Sequence, residues 1–268
     1  MKHIIEVPIQ QDPLIIDSDI TYTQVPGWLG QTTRDLHLSI IRHPKRYDDR
    51  LYPVIFWFAG GAWMDVDYNV HLANLVDYAH QGFVIVSVEY RDSNKVKFPG
   101  QLEDAQAAIN YLKKHAQDYQ IDPQKIIAMG QSAGGHLASM LGVHHNVNLA
   151  IPWYGVVDPL TTMNSNLTTS HELIYQNFLG KRPDVSPTLN DRANPLKFIT
   201  DKTVPFLILH GLDDQIVPVS NSEQLYQKLL DNEVPVEMYL VRNAGHMDNR
   251  FWQPTITNLV INFINQYI

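Results

Sequence analysis

From about residue 50 onward the chain repeats one unit: a short, nearly continuous apolar run, then an amphipathic stretch. The runs are VIFWFAG (54–60), FVIVSVEY (83–90), KIIAMG (125–130), LAIPWYG (149–155), PFLILHG (205–211) and VEMYLV (236–241). They lack polar–apolar alternation, as strands covered on both faces do, and several end at glycine. Between them, QLEDAQAAINYLKKHA sets Leu102, Ala105, Ile109 and Leu112 at helical spacing. TITNLVINFINQ sets Ile256, Leu259, Val260 and Phe263 on one stripe. VSNSEQLYQKLL opens with Ser220 three residues before Glu223, the spacing of a capping box, and carries Leu225 and Leu229 on one face. Strands alternating with helices predict an α/β fold, a mainly parallel sheet wrapped by helices with right-handed crossovers. RDLHLSIIRH and the N-terminal residues are expected to add antiparallel edge strands.

One region breaks the rhythm. Residues 158–203 are rich in Thr, Asn and Pro and are long for a crossover, with room for one or two short helices. A connection of that length is usually functional, so it is read as a lid or cap insertion within a single domain spanning 1–268.

Chemistry enters at IIAMGQSAGGHLASML (126–141), where a buried run turns directly into a helical pattern through Gly130-Gln131-Ser132-Ala133-Gly134. Gly and Ser suit any tight turn. G-x-S-x-G between a strand and a helix is also the nucleophile elbow, whose crowded backbone lifts the serine hydroxyl clear of the sheet. A nucleophilic serine needs a base, a group to orient that base, and donors for the oxyanion. Downstream, Asp213 and Asp214 follow FLILHG, and His246 follows VEMYLV, within RNAGHMD. Upstream, FAGGAW (58–63) follows VIFW, with glycines that let backbone amides approach an oxygen. The amide of Ala133, next to the serine, would supply the second contribution. Each signal is weak alone. Together they stand in the order Ser, acid, His, each at the carboxyl end of an expected strand, where ligands gather on a parallel sheet. His144 and His145 have no Asp or Glu at ligand spacing and are read as surface, so no metal site is expected.

Composition narrows the alternatives. A net charge of −8 argues against nucleic acid or an anionic membrane surface as partner. The absence of cysteine excludes disulfides, thiolate catalysis and Cys-based zinc sites. The N-terminus lacks the pattern of a signal peptide, and no run reaches 18 apolar residues, so a cytoplasmic protein is expected. A homo-oligomer is compatible with all of this.

With these motifs the chain resembles the α/β-hydrolase esterases related to hormone-sensitive lipase, and especially the small bacterial feruloyl-esterase-like (BD-FAE-like) carboxylesterases. The likeness runs from about residue 34 through FAGGAW, FVIVSVEYR, FPGQLEDAQAAINYLKKHAQDYQIDPQKI, GQSAGGHLA, FLGKRPDVSP, PFLILHGLDDQIVP and NAGH. It implies an α/β-hydrolase fold and a serine esterase acting on small-molecule esters without a cofactor. It also implies Ser132 as nucleophile and His246 as base. The acid falls four residues after the His of HG, which from His210 is Asp214, leaving Asp213 to face solvent or cap the next turn. Gly61 and Ala62, with Ala133, would furnish the oxyanion amides. Trp63, Trp153 and Tyr154 are candidates for the substrate pocket with the lid, or equally for the core, with core favoured for Trp153 because it sits inside a strand. Trp63 and Tyr154 are expected as pocket residues. The resemblance departs at Ala59, where the family usually has a His that braces the loop. Two other readings remain: an amide or formamide hydrolase with the same triad, and a non-catalytic binding protein on the same fold.

Overall fold

The computed structural model describes residues 1–27, 30–45, 50–165 and 169–268. Each apolar run forms a strand: β3 (Tyr52–Phe58), β4 (Val84–Val88), β5 (Ile121–Gln131), β6 (Leu149–Trp153), β7 (Phe206–Gly211) and β8 (Val236–Val241). Every residue of β4, β6 and β7 is buried, because helices cover both faces. The N-terminal part supplies β1 (Ile15–Pro26) and β2 (Thr33–Arg42), antiparallel to each other, with β2 antiparallel to β4. The eight strands are ordered β1-β2-β4-β3-β5-β6-β7-β8, and all from β4 to β8 are parallel.

The side-chain period of two divides the core between the faces. Val54, Phe56 and Phe58 of β3 join one cluster with Ala105, Ile109 and Leu112 of α2 (Gly100–Lys114) and Leu137 and Leu141 of α3 (Ala133–Val143). Ile55 and Trp57 point the other way, toward Leu75 of α1 (Leu72–His80) and Val260, Phe263 and Ile264 of α8 (Pro254–Tyr267). The periodicity read above does not single out α1. After β3 the chain places β4 on one side and then returns to place β5 on the other. Strand order reverses there, and the carboxyl ends of β3 and β5 mark the place where such sheets bind ligands. FAGGAW leaves β3 and the serine elbow leaves β5 at that point.

Two expectations are corrected. The helix α7 (Ser220–Leu230) has Val219 at its N-cap, in helical conformation, and no side-chain cap bond. Because Glu223 N–H already donates to Val219 O, Ser220 lies inside the helix and cannot close a capping box. Residues 158–203 hold more helix than expected: α4 (Pro159–Ser165), α5 (Thr169–Leu179), α6 (Pro187–Arg192), and 3-10 turns at Pro183–Val185 and Pro195–Lys197. The prolines that read as loop stand at the first positions of four of these, where a missing N–H costs nothing. Residues 166–168 of this segment lie outside the described part. Among the described residues no helix is long and apolar enough to cross a membrane.

Candidate active site

The glycines around Ser132 are a steric requirement. A Cβ at Gly134 would stand 1.9 Å from the carbonyl oxygen of Phe58, and one at Gly130 would stand 2.5 Å from that of Gly134. With these contacts cleared, β5 passes into α3 through a single residue. Ser132 takes φ 53° and ψ −119°, outside the ordinary regions for an L-residue, and its N–H is held by Trp153 O at 2.9 Å.

His246 reaches the serine from the loop after β8. Its Nε2 lies 2.9 Å from Ser132 Oγ and its Nδ1 lies 2.7 Å from Asp214 Oδ2. A carboxylate only accepts, so Nδ1 carries the proton and Nε2 turns its lone pair to the serine hydroxyl. Of the two neighbouring aspartates, Asp214 is buried and Asp213 is exposed. Burial pushes the Asp214 carboxyl upward. The hydrogen bonds from His210 and His246, the charge of His246 and the amide of Val217 outweigh that and hold it well below the usual carboxylate range. The turn after it is capped by Asp214 too, whose Oδ1 accepts the amides of Ile216 and Val217, each at 2.9 Å.

Sequence reasoning missed the groups behind this line. His210, fully buried, sits 3.4 Å from Asp214 Oδ2, with Val217 O and Ser222 Oγ on its two nitrogens at 2.9 and 2.7 Å. Tyr154 presents its ring edgewise to His246, centroids 4.9 Å apart, and donates its hydroxyl proton to Gln131 Oε1 at 2.7 Å. Gln131 Nε2 in turn lies 2.7 Å from His71 Nε2. His210 stands only four residues before Asp214, whereas the Tyr154–Gln131–His71 links join distant parts of the chain that no local pattern announces.

The FAGGAW loop lies against the elbow. A Cβ at Gly60 would meet Ser132 Cβ at 3.2 Å, and Gly61 and Ala62 follow directly in the chain. From the other side comes Ala133, whose amide, at the first position of α3, has no acceptor within its own helix. Gly61 has φ 126° and is confined to glycine twice over, since a Cβ would stand 1.7 Å from Asp65 O. Ala59 contributes its carbonyl, which accepts the hydroxyl of Tyr90 at 2.7 Å.

The two aromatics expected at the substrate pocket, Trp63 and Tyr154, are both packed inward. Trp63 is 1% exposed and Tyr154 is fully buried. The left-handed backbone at Trp63 carries the indole inward onto Phe178, and the hydroxyl of Tyr154 is consumed by Gln131. Trp153 is buried, as expected, and His144 and His145 are exposed. Among the described residues no group of His, Cys, Asp or Glu is arranged to hold a metal ion.

The BD-FAE family model matches residues 40–229, well over half the chain. Among curated relatives, the "Probable carboxylic ester hydrolase LipM" of Mycobacterium tuberculosis is 29% identical over 80% of this chain and 51% of its own length. "Esterase LipQ" of the same organism is 29% identical over 85% of this chain and 56% of its own. The chain thus spans about half the length of these relatives. Among solved structures, a truncated carbohydrate esterase from gut microbiota superposes with a TM-score of 0.80 at 21% identity, covering 98% of this chain and 99% of the other. Esterase Est2 of Thermogutta terrifontis gives 0.75 at 23% identity, over 92% and 91%. These likenesses show the α/β-hydrolase fold.

Proposed function

The chain belongs to the BD-FAE family, and from that membership we propose that it hydrolyses carboxylic esters through an acyl-enzyme on Ser132. The observation that carries the reading is the unbroken hydrogen-bonded line from Ser132 Oγ through His246 to Asp214. In this scheme His246 Nε2 takes the hydroxyl proton as Ser132 Oγ attacks the ester carbonyl. The tetrahedral oxyanion is held by amides of Gly61, Ala62 and Ala133, each worth a few kcal/mol. His246 then gives its proton to the leaving alcohol, and a water, activated by the same imidazole, releases the acid. Asp214 keeps the imidazole in the tautomer the cycle needs.

The substrate we infer is a small ester with a short acyl chain. Within the described part of 158–203, Met163, Tyr175, Phe178 and Leu179 are spent on the core, and Leu173 and Val185 are the large apolar side chains left exposed. A long acyl chain calls for a continuous apolar wall. The test is a series of p-nitrophenyl esters from acetate to decanoate, run with the wild type and Ser132→Ala. Turnover should be highest on the shortest esters, and the variant should lose at least about a thousandfold in kcat. A fluorophosphonate should label Ser132. Labelling at another serine sinks the nucleophile assignment, and kcat/KM climbing steadily toward decanoate sinks the short-chain assignment alone.

A further inference from the structure

The loop that would build the oxyanion site is conformationally expensive. Ala62 and Trp63 take φ values of 54° and 55° in succession, directly after Gly61. Residues with a Cβ keep such angles only where their surroundings hold them there. Hydrogen bonds fix the margins of the loop. Tyr90 O–H donates to Ala59 O, Ser93 N–H donates to Trp63 O at 2.6 Å, and the amides of Met64 and Asp65 donate to Gly61 O at 2.9 and 3.0 Å.

The side chain at the centre of the turn is held differently. The indole of Trp63 lies flat on the ring of Phe178, with centroids 3.9 Å apart and planes 13° apart. Edges of His136 and Tyr175 close the box at 5.3 and 6.1 Å. Phe178 is fully buried and belongs to α5, within 158–203. Its helix is tied down in turn: Phe98 N–H donates to Phe178 O at 2.9 Å, and Lys97 Nζ donates to Asn177 Oδ1 at 2.6 Å. An indole clamped face to face cannot rock without dragging the Ala62–Trp63 peptide, and that peptide is joined through Gly61 to Gly60, which packs against Ser132.

We propose that Phe178 is a positioning residue for the oxyanion site, seating Trp63 and thereby fixing the amides of Gly61 and Ala62 relative to Ser132. The inference rests on the reading of Ser132 as nucleophile. It gives the 158–203 segment a part in building the reaction centre.

The test uses the full chain, p-nitrophenyl acetate as substrate, and an aryl trifluoromethyl ketone, whose adduct with the serine carries an oxyanion. Phe178→Leu fills most of the volume but removes the flat face. It should lower kcat about ten- to a hundredfold and weaken the ketone in parallel, with KM changed no more than about twofold. Phe98→Leu, in the same aromatic box and 5.3 Å from Phe178, is the control and should keep kcat within about threefold of wild type. Trp63→Leu removes the stack from its other side, so it should reproduce the loss, and the double variant should add little to it. If Phe178→Leu does not fold, Trp63→Leu against Phe98→Leu gives the same reading. Unchanged kcat in the folded variant, or an equal loss in Phe98→Leu, overturns the proposal. Should Ser132→Ala retain activity, the nucleophile reading falls first; if only Ser132→Ala is impaired, the positioning role alone falls.

Discussion

Asp214 carries two tasks that a reading of the sequence divides between adjacent aspartates. Its Oδ2 accepts from His246 Nδ1, and its Oδ1 accepts from Ile216 and Val217, so one carboxylate both orients the imidazole and caps the turn that follows. Asp213 takes neither part; its backbone N–H donates to Ala244 O while its side chain stays exposed. Replacing Asp214 by Asn leaves the shape but lets an NH2 compete for the place of the accepting oxygen, so the imidazole loses both its tautomer and its counter-charge. We expect Asp214→Asn to cost on the order of ten-thousandfold in kcat on p-nitrophenyl acetate. Asp213→Asn should stay within about threefold, as an exposed side chain away from the reacting groups does. Comparable losses in the two variants would contradict the division seen in the structure.

At the scale of elements, legibility followed the range of the interactions involved. Strands β3 to β7 were readable because a run buried on both faces must be continuously apolar, and the elbow because β5, Ser132 and α3 are consecutive in the chain. β8 reads the same way although, at the sheet edge, none of its residues is buried. What depends on long-range packing was not. The order of residues shows that Trp63 and Tyr154 are aromatic but not which way their backbones turn them, and both turn inward. The links from Tyr154 to Gln131 and from Gln131 to His71 span 23 and 60 residues, so no local pattern reports them. Prolines at 159, 183, 187 and 195 read equally as loop or as helix starts, and only the packed structure decides. The elbow itself gives a sharp prediction. In Gly134→Ala the new Cβ must displace the backbone of β3 at Phe58, which cannot yield as a side-chain tip can. A loss of about 3 kcal/mol or more in urea unfolding is expected, the upper range for overpacking. Gly245→Ala, beside His246, meets only Asp213 O at 3.7 Å and should unfold within about 1 kcal/mol of wild type. Equal stabilities would mean that the strand–helix junction is looser than its contacts indicate.

Across the whole molecule, the helix that begins at the nucleophile is fastened to the 158–203 segment by one buried histidine. His136 lies on α3, fully buried, with its Nε2 2.7 Å from Ala193 O and the rings of Trp63, Phe98 and Phe178 around it. Burial lowers its pKa to about 4, against the usual value near 6.5. Between those two values the unfolded chain takes up a proton that the native protein refuses, so stability must fall as pH falls through this window. The slope is about 1.4 kcal/mol per pH unit for one such group, or about 3 kcal/mol over the whole window. Asp214 acts in the same direction but lower down. Its carboxyl is held below the usual range, so its contribution is present above about pH 4 and is lost as pH drops further. His136 should therefore dominate the early part of acid destabilisation. His136→Gln keeps a side-chain N–H for Ala193 O and removes the proton site. Urea unfolding at pH 7 and at pH 4.5 should show the variant losing less stability than wild type by roughly 2 kcal/mol, whatever the two start from at pH 7. Parallel losses would assign the acid sensitivity to other groups and leave His136 as a fastening only.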